Sequence, residues 1–206
     1  MNEIILNHRS IRKYKTTQIE ETLLHAIINA GIRASNTGNM QVYSIIITKD
    51  EHIRQKLWES HFKQNMVLQA PVHLTFCVDI NRFHKWCEEN QTTLAYDNFL
   101  WFINGTIDAV LASQNISLAA ESHGLGVCYL GTATYNAEKI IDILELPKGV
   151  IPVAAIVLGY PDENPPLTDR LPFEAIVHNE KYIDYSVEKI RDFHKEKENS
   201  DLAKRL

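Results

Sequence analysis

The chain has 206 residues, 45% of them hydrophobic, and a formal net charge of -5 at pH 7. Such a chain can build one sizeable core, and no Gly/Ser-rich or Pro-rich linker divides it. We therefore predict one domain over residues 1–206, with a core over about 7–180 and a C-terminal tail over about 181–206. The acidic balance argues against nucleic-acid binding, because phosphate backbones require a broad basic surface.

The first residues have no charged n-region and no long apolar stretch, and no run of about eighteen apolar residues follows anywhere. This pattern predicts a cytoplasmic protein with no membrane association. Cys77, Cys87 and Cys128 lie far apart, without the close pairing that zinc or dithiol chemistry needs. We predict buried, reduced thiols and no metal site.

Residues 8–14, which read HRSIRKY and are called the basic run below, place three cations, a histidine and a hydroxyl in one short stretch. Arginine presents a planar fork of donors that matches phosphate oxygens two at a time, and Ser10 can add a hydrogen bond. The run is a candidate site for a small anion. Charge alone would equally suit a solvated surface, so the interpretation depends on the rest of the chain.

A helix is predicted next, because Thr17 and Glu20 have capping-box spacing and apolar residues then recur at helical intervals until about Ser35. A second, short helix is predicted after Asp50, which is placed to cap its start, and Gln64 lies on it. Apolar, β-branched runs predict buried strands. The predicted strands span residues 42–48, 72–78, 126–130 and 151–158.

The longest predicted element is a helix over residues 94–123 that ends at Gly124, a residue suited to the left-handed position after a helix. Apolar residues occupy nearly every direction around its axis, so no solvated face can be assigned. Two alternatives follow. The helix lies in the core of a monomer, or it packs half against its own core and half against a partner subunit.

Irregular alternation of helices and strands, without a Gly-rich turn after each strand, predicts an α+β fold rather than a doubly wound one. The histidines have no HExxH spacing, and no serine lies in a G-x-S-x-G elbow. His73 in a strand and His123 at a helix end are predicted to be structural. The residue pattern therefore offers no catalytic acid, base or nucleophile.

Four segments recur in the order and spacing of a known family. They are the basic run, SNTGNMQ at residues 35–41, the GLG and YLG motifs within residues 124–131, and NPPLTDRLP at residues 164–172. The chain resembles the FMN-dependent nitroreductases, in particular the oxygen-insensitive NAD(P)H nitroreductase and flavin reductase branch. The resemblance implies a nitroreductase-like fold, with a central, mostly antiparallel sheet flanked by helices. It also implies a homodimer with shared active sites and a tail that reaches the partner.

The resemblance further implies which residues bind FMN. The phosphate and ribityl chain would contact the basic run, the loop at residues 35–39 would serve the partner's flavin, and Gln64 would bond the ring edge. The implied cofactor-binding residues are His8, Arg9, Ser10, Arg12, Ser35, Asn36, Thr37, Asn39, Gln64, Tyr129, Leu130, Gly131, Thr132 and Arg170. No side chain is implied as catalytic, because flavin N5 performs the chemistry and the backbone of Gly131 lies nearby.

Three residues depart from the branch. Thr168 stands where a lysine is usual, Asp169 places a carboxylate beside Arg170, and Thr132 replaces the second of two glycines. The implied activity is ping-pong hydride transfer from NADH or NADPH to nitroaromatics, quinones or free flavin. A flavin-binding storage or sensor protein with little turnover is the alternative, and a phosphate-ligand module without flavin is a third.

Overall fold

A four-stranded antiparallel sheet organises the computed structural model, which describes residues 2–93 and 98–198. The strands are β1 Tyr43–Thr48, β2 Val72–Asp79, β3 Gly126–Tyr129 and β4 Val150–Gly159. Their order across the sheet is β1-β2-β4-β3, and every neighbouring pair is antiparallel. The predicted strands and the mostly antiparallel sheet are thereby confirmed, with strand ends shifted by one residue.

Helices cover both faces of this sheet. The helices of the described residues are α1 Asn2–Leu6, α2 Glu21–Ile32, α3 Glu51–Ser60, α4 Met66–Gln69, α5 Asn81–Glu89, α6 Phe99–Ser122, α7 Ala137–Ile143 and α8 Val187–Glu198, and α2, α3, α4, α6 and α7 are the ones that pack on the sheet. Successive residues of a strand point to opposite faces. Ile156 and Leu158 accordingly pack with α2 and α6, whereas Ala155 and Val157 pack with α3, α4 and α7. All eight residues of β2, one of the two inner strands, are buried, because both of its faces are covered.

Two local predictions about helices are wrong. Glu20, not Thr17, occupies the position before α2, and it makes no side-chain cap hydrogen bond. Ile19 is buried in the core and lies outside the helix, which begins only at Glu21. Gln64 lies outside both α3 and α4, because Phe62 and Lys63 adopt positive φ angles of 54° and 57° that interrupt the helix.

The cap predicted at Asp50 is confirmed, since its Oδ1 accepts a hydrogen bond from the Ile53 N–H at 2.9 Å. The predicted end of α6 is also confirmed, because Gly124 has a φ of 75° directly after the last turn. The first predicted residues of that helix, 94–97, lie outside the described residues. The cysteines predicted to be buried thiols are buried and free.

The long helix α6 is not enclosed by its own chain. Its buried face carries small residues such as Gly105, Ala109 and Ala112, so the helix approaches the sheet closely. A Cβ at Gly105 would lie 2.9 Å from the Val42 carbonyl oxygen. Large apolar side chains point away from the sheet and are 36 to 75% exposed. This apolar stripe consists of Phe99, Leu100, Ile103, Ile107, Val110 and Leu111. The interpretation of α6 as a core helix of a monomer is therefore wrong.

The chain forms two compact units, of which the first ends at Pro165 and the second begins at Pro166. Within the second unit, the Tyr185 hydroxyl donates to the Ala175 carbonyl oxygen at 3.1 Å and lies 2.9 Å from His178 Nε2. The single domain over residues 1–206 stays a prediction. Within residues 2–93 and 98–198, no helix combines the length and the apolar character needed to cross a bilayer.

Candidate active site

The basic run lies beside β3 and follows the same direction. Ser10 forms a parallel bridge with Val127, and the Ile11 N–H donates to the Val127 carbonyl oxygen at 2.9 Å. Ile11 and Tyr14 are buried, and the Tyr14 hydroxyl donates to the Ile11 carbonyl oxygen at 2.5 Å. The apolar members of the run therefore anchor its backbone, and its cations stay closer to the surface.

Arg9 is held by neutral oxygens at the end of the first unit. Its Nη1 donates to Asn164 Oδ1 at 2.8 Å and to the Pro165 carbonyl oxygen at 3.0 Å. Its Nε donates to the Asn7 carbonyl oxygen at 3.2 Å. These contacts neutralise no charge, so the guanidinium is oriented and still able to attract an anion.

Glu163 stabilises the turn at the centre of the basic run. One of its carboxylate oxygens accepts the backbone N–H groups of Arg12 and Lys13 at 2.5 and 3.1 Å. The Arg12 side chain is exposed, and its guanidinium has no hydrogen-bond partner among the residues that the structure describes. Among the arginines predicted to contact the phosphate, Arg12 is therefore the one whose whole guanidinium is free of hydrogen bonds to described residues.

His8 contacts a carboxylate instead of standing free. Its Nδ1 lies 2.6 Å from Glu121 Oε1, on the last turns of α6. Burial raises the pKa of Glu121, and the hydrogen bond from His8 acts in the opposite direction. The other oxygen, Glu121 Oε2, is buried without a partner in the described part of the chain. This pair fixes the start of the basic run against α6.

The predicted loop at residues 35–39 is anchored to α6 by one buried carboxylate. Asp108 Oδ1 accepts the Thr37 backbone N–H at 2.8 Å and the Thr37 hydroxyl at 3.2 Å. Asn36 Oδ1 and Asp108 Oδ2 are buried and unpartnered in the described residues. Gly38 and Asn39 line a cavity of about 470 Å³ whose other lining residues are Met40, Arg82, Phe83 and Trp86.

The segment predicted to pass the flavin ring leaves the end of β3 as a 3₁₀ turn, Gly131–Ala133. The Tyr129 hydroxyl lies 2.8 Å from Ser113 Oγ on α6, and the Leu130 N–H donates to the Ala155 carbonyl oxygen at 2.8 Å. Gly131 is exposed, and a Cβ there would meet no described atom within 4 Å. Packing within the chain therefore does not require a glycine at this position, and the space beside Gly131 is open.

Thr132 and Gln64 meet at this opening. The Gln64 amide nitrogen, Nε2, lies 3.3 Å from Thr132 Oγ1 and donates to the His61 carbonyl oxygen at 3.0 Å. Both side chains are half-buried. The positive φ angles before Gln64 therefore have a structural consequence, because they turn the chain so that its amide reaches Thr132.

Behind Thr132 a chain of hydrogen bonds runs into the sheet. His61 Nδ1 lies 2.7 Å from Thr132 Oγ1, and His61 Nε2 lies 3.2 Å from His73 Nε2 on β2. His73 Nδ1 lies 3.4 Å from the Thr75 hydroxyl. Burial lowers the pKa of His61 to about 4. Burial, followed by the charges of His61 and Arg54, lowers the pKa of His73 to about 3.

Arg170 belongs to the second unit. Its Nη1 donates to Thr168 Oγ1 at 2.6 Å, to the Thr168 carbonyl oxygen at 3.3 Å and to the Asp169 carbonyl oxygen at 2.9 Å. The two residues that depart from the family pattern thus orient this guanidinium through neutral oxygens. Its role at a phosphate stays a prediction.

The structure brings three of the predicted groups together. The basic run lies along β3, the turn at Gly131 and Thr132 continues from β3, and Gln64 contacts that turn. No hydrogen bond among the described residues links the loop at 35–39 to Ser10, Gln64 or Thr132.

Sequence reasoning missed three groups at the site: Asp108, Glu163 and the contact of His61 with His73, which was predicted only to be structural. Asp108 was detectable as the one acid within the apolar sequence of α6 before Glu121. The other two depend on contacts between residues distant in the chain.

Comparisons with known proteins identify the family of this fold. The model of the Nitroreductase family matches residues 5–160. The chain belongs to the nitroreductase family. It is 37% identical over 180 residues to an oxygen-insensitive NADPH nitroreductase of Salmonella typhimurium. The alignment covers 87% of this chain and 73% of that protein.

Solved structures of other nitroreductases superpose on it closely. Nitroreductase A from Vibrio parahaemolyticus gives a TM-score of 0.90 at 33% identity, covering 98% of this chain and 85% of that one. An NADPH:FMN oxidoreductase from Vibrio harveyi, solved in complex with NAD+, gives 0.88 at 32% identity, covering 96% and 84%. The nitroreductase-like fold implied by the four sequence segments is thereby confirmed.

Proposed function

We propose that this nitroreductase is an FMN-dependent enzyme that takes hydride from NADH or NADPH and passes it to a nitroaromatic, a quinone or free flavin. The observation that carries the proposal is the opening at Gly131, where the Gln64 and Thr132 side chains meet beside a backbone without a Cβ. The similar proteins named above are an NADPH nitroreductase and an NADPH:FMN oxidoreductase. Their activities favour an enzyme over a storage or sensor protein.

The residues present fit a flavin mononucleotide. Arg12 offers an exposed guanidinium and Ser10 a hydroxyl, which suit a phosphate and a polyol chain. The open space at Gly131 would hold a planar ring, and Gln64 and Thr132 would bond its polar edge. When bound, the flavin supplies hydride transfer, so the chain needs only to bind and orient reactants.

The expected kinetics follow from one open site that both substrates visit in turn. Steady-state rates measured with NADH or NADPH and with menadione or nitrofurazone should give parallel double-reciprocal lines. The purified full chain should be yellow and release FMN on denaturation. A colourless protein that takes up no FMN in a titration would refute the proposal. Bound FMN that neither NADH nor NADPH reduces in stopped-flow experiments would instead support the storage or sensor alternative.

We further infer that the nitroreductase is a homodimer and that the apolar stripe of α6 is its interface. An exposed stripe of this size is costly in water, and a two-fold axis would let it pack on its own copy. The loop at residues 35–39 would then serve the flavin of the other subunit. The cytoplasmic location stays a prediction.

Substituting a stripe residue tests the dimer. Leu111→Asp should produce monomers in light scattering at low micromolar concentration and should release FMN. Leu6→Asp is the matched control, because Leu6 is exposed on α1 and outside the stripe. A wild-type protein that is a folded monomer with bound FMN would contradict both the dimer and the shared site.

A further inference from the structure

The orientation of the Gln64 amide follows from its neighbours. A backbone carbonyl oxygen can only accept, so the amide nitrogen must face the His61 carbonyl oxygen. The second amide hydrogen is directed to Thr132 Oγ1 at 3.3 Å. With both hydrogens used inside the protein, Gln64 presents only its carbonyl oxygen, an acceptor, to a ligand.

The direction of the histidine chain can be derived in the same way. Low pKa values keep both imidazoles neutral near pH 7, so each has one N–H, and one hydrogen lies between the two Nε2 atoms. Thr75 is fully buried, and His73 Nδ1 is the one partner of its hydroxyl among the described residues. A buried hydroxyl hydrogen without an acceptor is costly, so Thr75 donates to His73 Nδ1.

The positions of the remaining hydrogens follow from this first one. Because His73 Nδ1 accepts, His73 carries its hydrogen on Nε2 and donates to His61 Nε2. His61 in turn carries its hydrogen on Nδ1 and donates to Thr132 Oγ1. The Thr132 oxygen already accepts from His61 and Gln64, so its own hydrogen is directed away from both. In the opposite tautomers, the Thr132 hydroxyl would donate its hydrogen to His61 Nδ1, and the Thr75 hydroxyl hydrogen would have no acceptor.

We propose that His61 and His73 are positioning residues that make Thr132 a hydrogen-bond donor next to the acceptor of Gln64. This pair of groups recognises a ring edge on which an N–H lies beside a carbonyl oxygen or an unprotonated ring nitrogen. Oxidised flavin has such an edge, and to that extent the inference rests on the proposed function. This series of hydrogen bonds ends at the buried Thr75, so it orients hydrogens and does not conduct protons to solvent.

Nitrogen NMR of protein labelled with 15N-histidine tests the tautomers without any flavin. In the apoprotein near pH 7, we expect hydrogen on Nδ1 of His61 and on Nε2 of His73. Hydrogen on Nε2 of His61 and on Nδ1 of His73 would overturn the proposal. This result is independent of whether the protein binds FMN, so the proposed function can fail while the inference about the chain is still tested.

Substitution of Thr132 tests the effect on the flavin. A donor stabilises the electron-rich reduced ring more than the oxidised ring. Thr132→Val should therefore weaken binding of reduced FMN relative to oxidised FMN by about tenfold, or about 30 mV in the two-electron midpoint potential. Thr132→Ser, which keeps the hydroxyl, should restore the potential. An unchanged potential in Thr132→Val would refute the assigned donor.

Substitution of His61 separates positioning from packing. The Asn amide can reach the place of Nδ1, whereas the Gln amide reaches the place of Nε2. His61→Asn should keep the wild-type potential, and His61→Gln should shift it as Thr132→Val does. In the Thr132→Val background, His61→Gln should add no further shift, because the two act through one contact. Additive shifts would show that His61 does not act through Thr132. If the His61 variants do not fold, the tautomers measured by NMR in the wild-type protein still decide the role of the histidines.

Discussion

The two ends of the candidate flavin site are built differently. At the phosphate end, the basic run lies on the surface beside β3, and its Arg12 guanidinium is free of partners in the described residues. At the ring end, Thr132 and Gln64 are oriented by His61 and His73, which are fully buried. The phosphate end thus depends on charge and tolerates solvent. The ring end depends on hydrogen positions that only a dry environment can fix.

The largest effect expected from this difference is in acid stability. The unfolded histidines have ordinary pKa values near 6.5, but the folded ones have values of about 4 and 3. Between these values the unfolded state binds more protons, so the stability present above pH 6.5 is lost as the pH falls. A difference of one bound proton changes the free energy of unfolding by about 1.4 kcal/mol per pH unit, so the two histidines together contribute up to about 3 kcal/mol per unit.

Urea unfolding at pH values from 7.5 to 4.5 measures this slope. His73→Leu should remove about half of the contribution, whatever its effect on the stability at neutral pH. The same slope in wild type and variant would show that the buried pair is not neutral in the folded protein. Arg54 is the buried cation near His73, so its charge lowers the pKa further and cannot reverse the sign.

A smaller effect is expected from removing the free cation at the phosphate end. A charge-assisted hydrogen bond contributes about 1.5 to 3 kcal/mol, so Arg12→Ala should weaken FMN binding by about one to two orders of magnitude. Arg9→Ala should act in the same direction. Lys13→Ala is the matched control, since the family motif does not require it, and it should change the affinity far less. Equal affinities for Arg12→Ala and Lys13→Ala in a titration would show that Arg12 does not bind the FMN phosphate.

The smallest effect on binding is expected at Gly131. Because a Cβ there meets no described atom within 4 Å, Gly131→Val should leave the melting temperature nearly unchanged. The added side chain would enter the space assigned to the ring. Flavin reduction by NAD(P)H should therefore slow by about tenfold, roughly 1.4 kcal/mol in activation free energy, while FMN affinity changes less. A variant that loses FMN but reduces the remaining flavin at the normal rate would contradict this assignment.

Local patterns in the sequence predicted the elements well. The β-branched runs marked all four strands, Asp50 marked the start of α3, and Gly124 marked the end of α6. The failures were also local. Thr17 and Glu20 have the spacing of a capping box, but Ile19 is buried in the core and the helix begins only at Glu21. Gln64 was predicted to lie on a helix, because the left-handed conformation of the two residues before it cannot be detected from the apolar periodicity.

What the sequence determined by itself is the family and the residue types of the site. The four segments, the cations of the basic run and Gly131 are all visible in the linear chain, because charge and the absence of a side chain are properties of single residues. The tertiary structure alone decided how Thr132 and Gln64 are oriented. His61 and His73 lie twelve residues apart, and His61 lies seventy-one residues from Thr132. Hydrogen bonds between them exist only after the sheet and α3 have packed and excluded water.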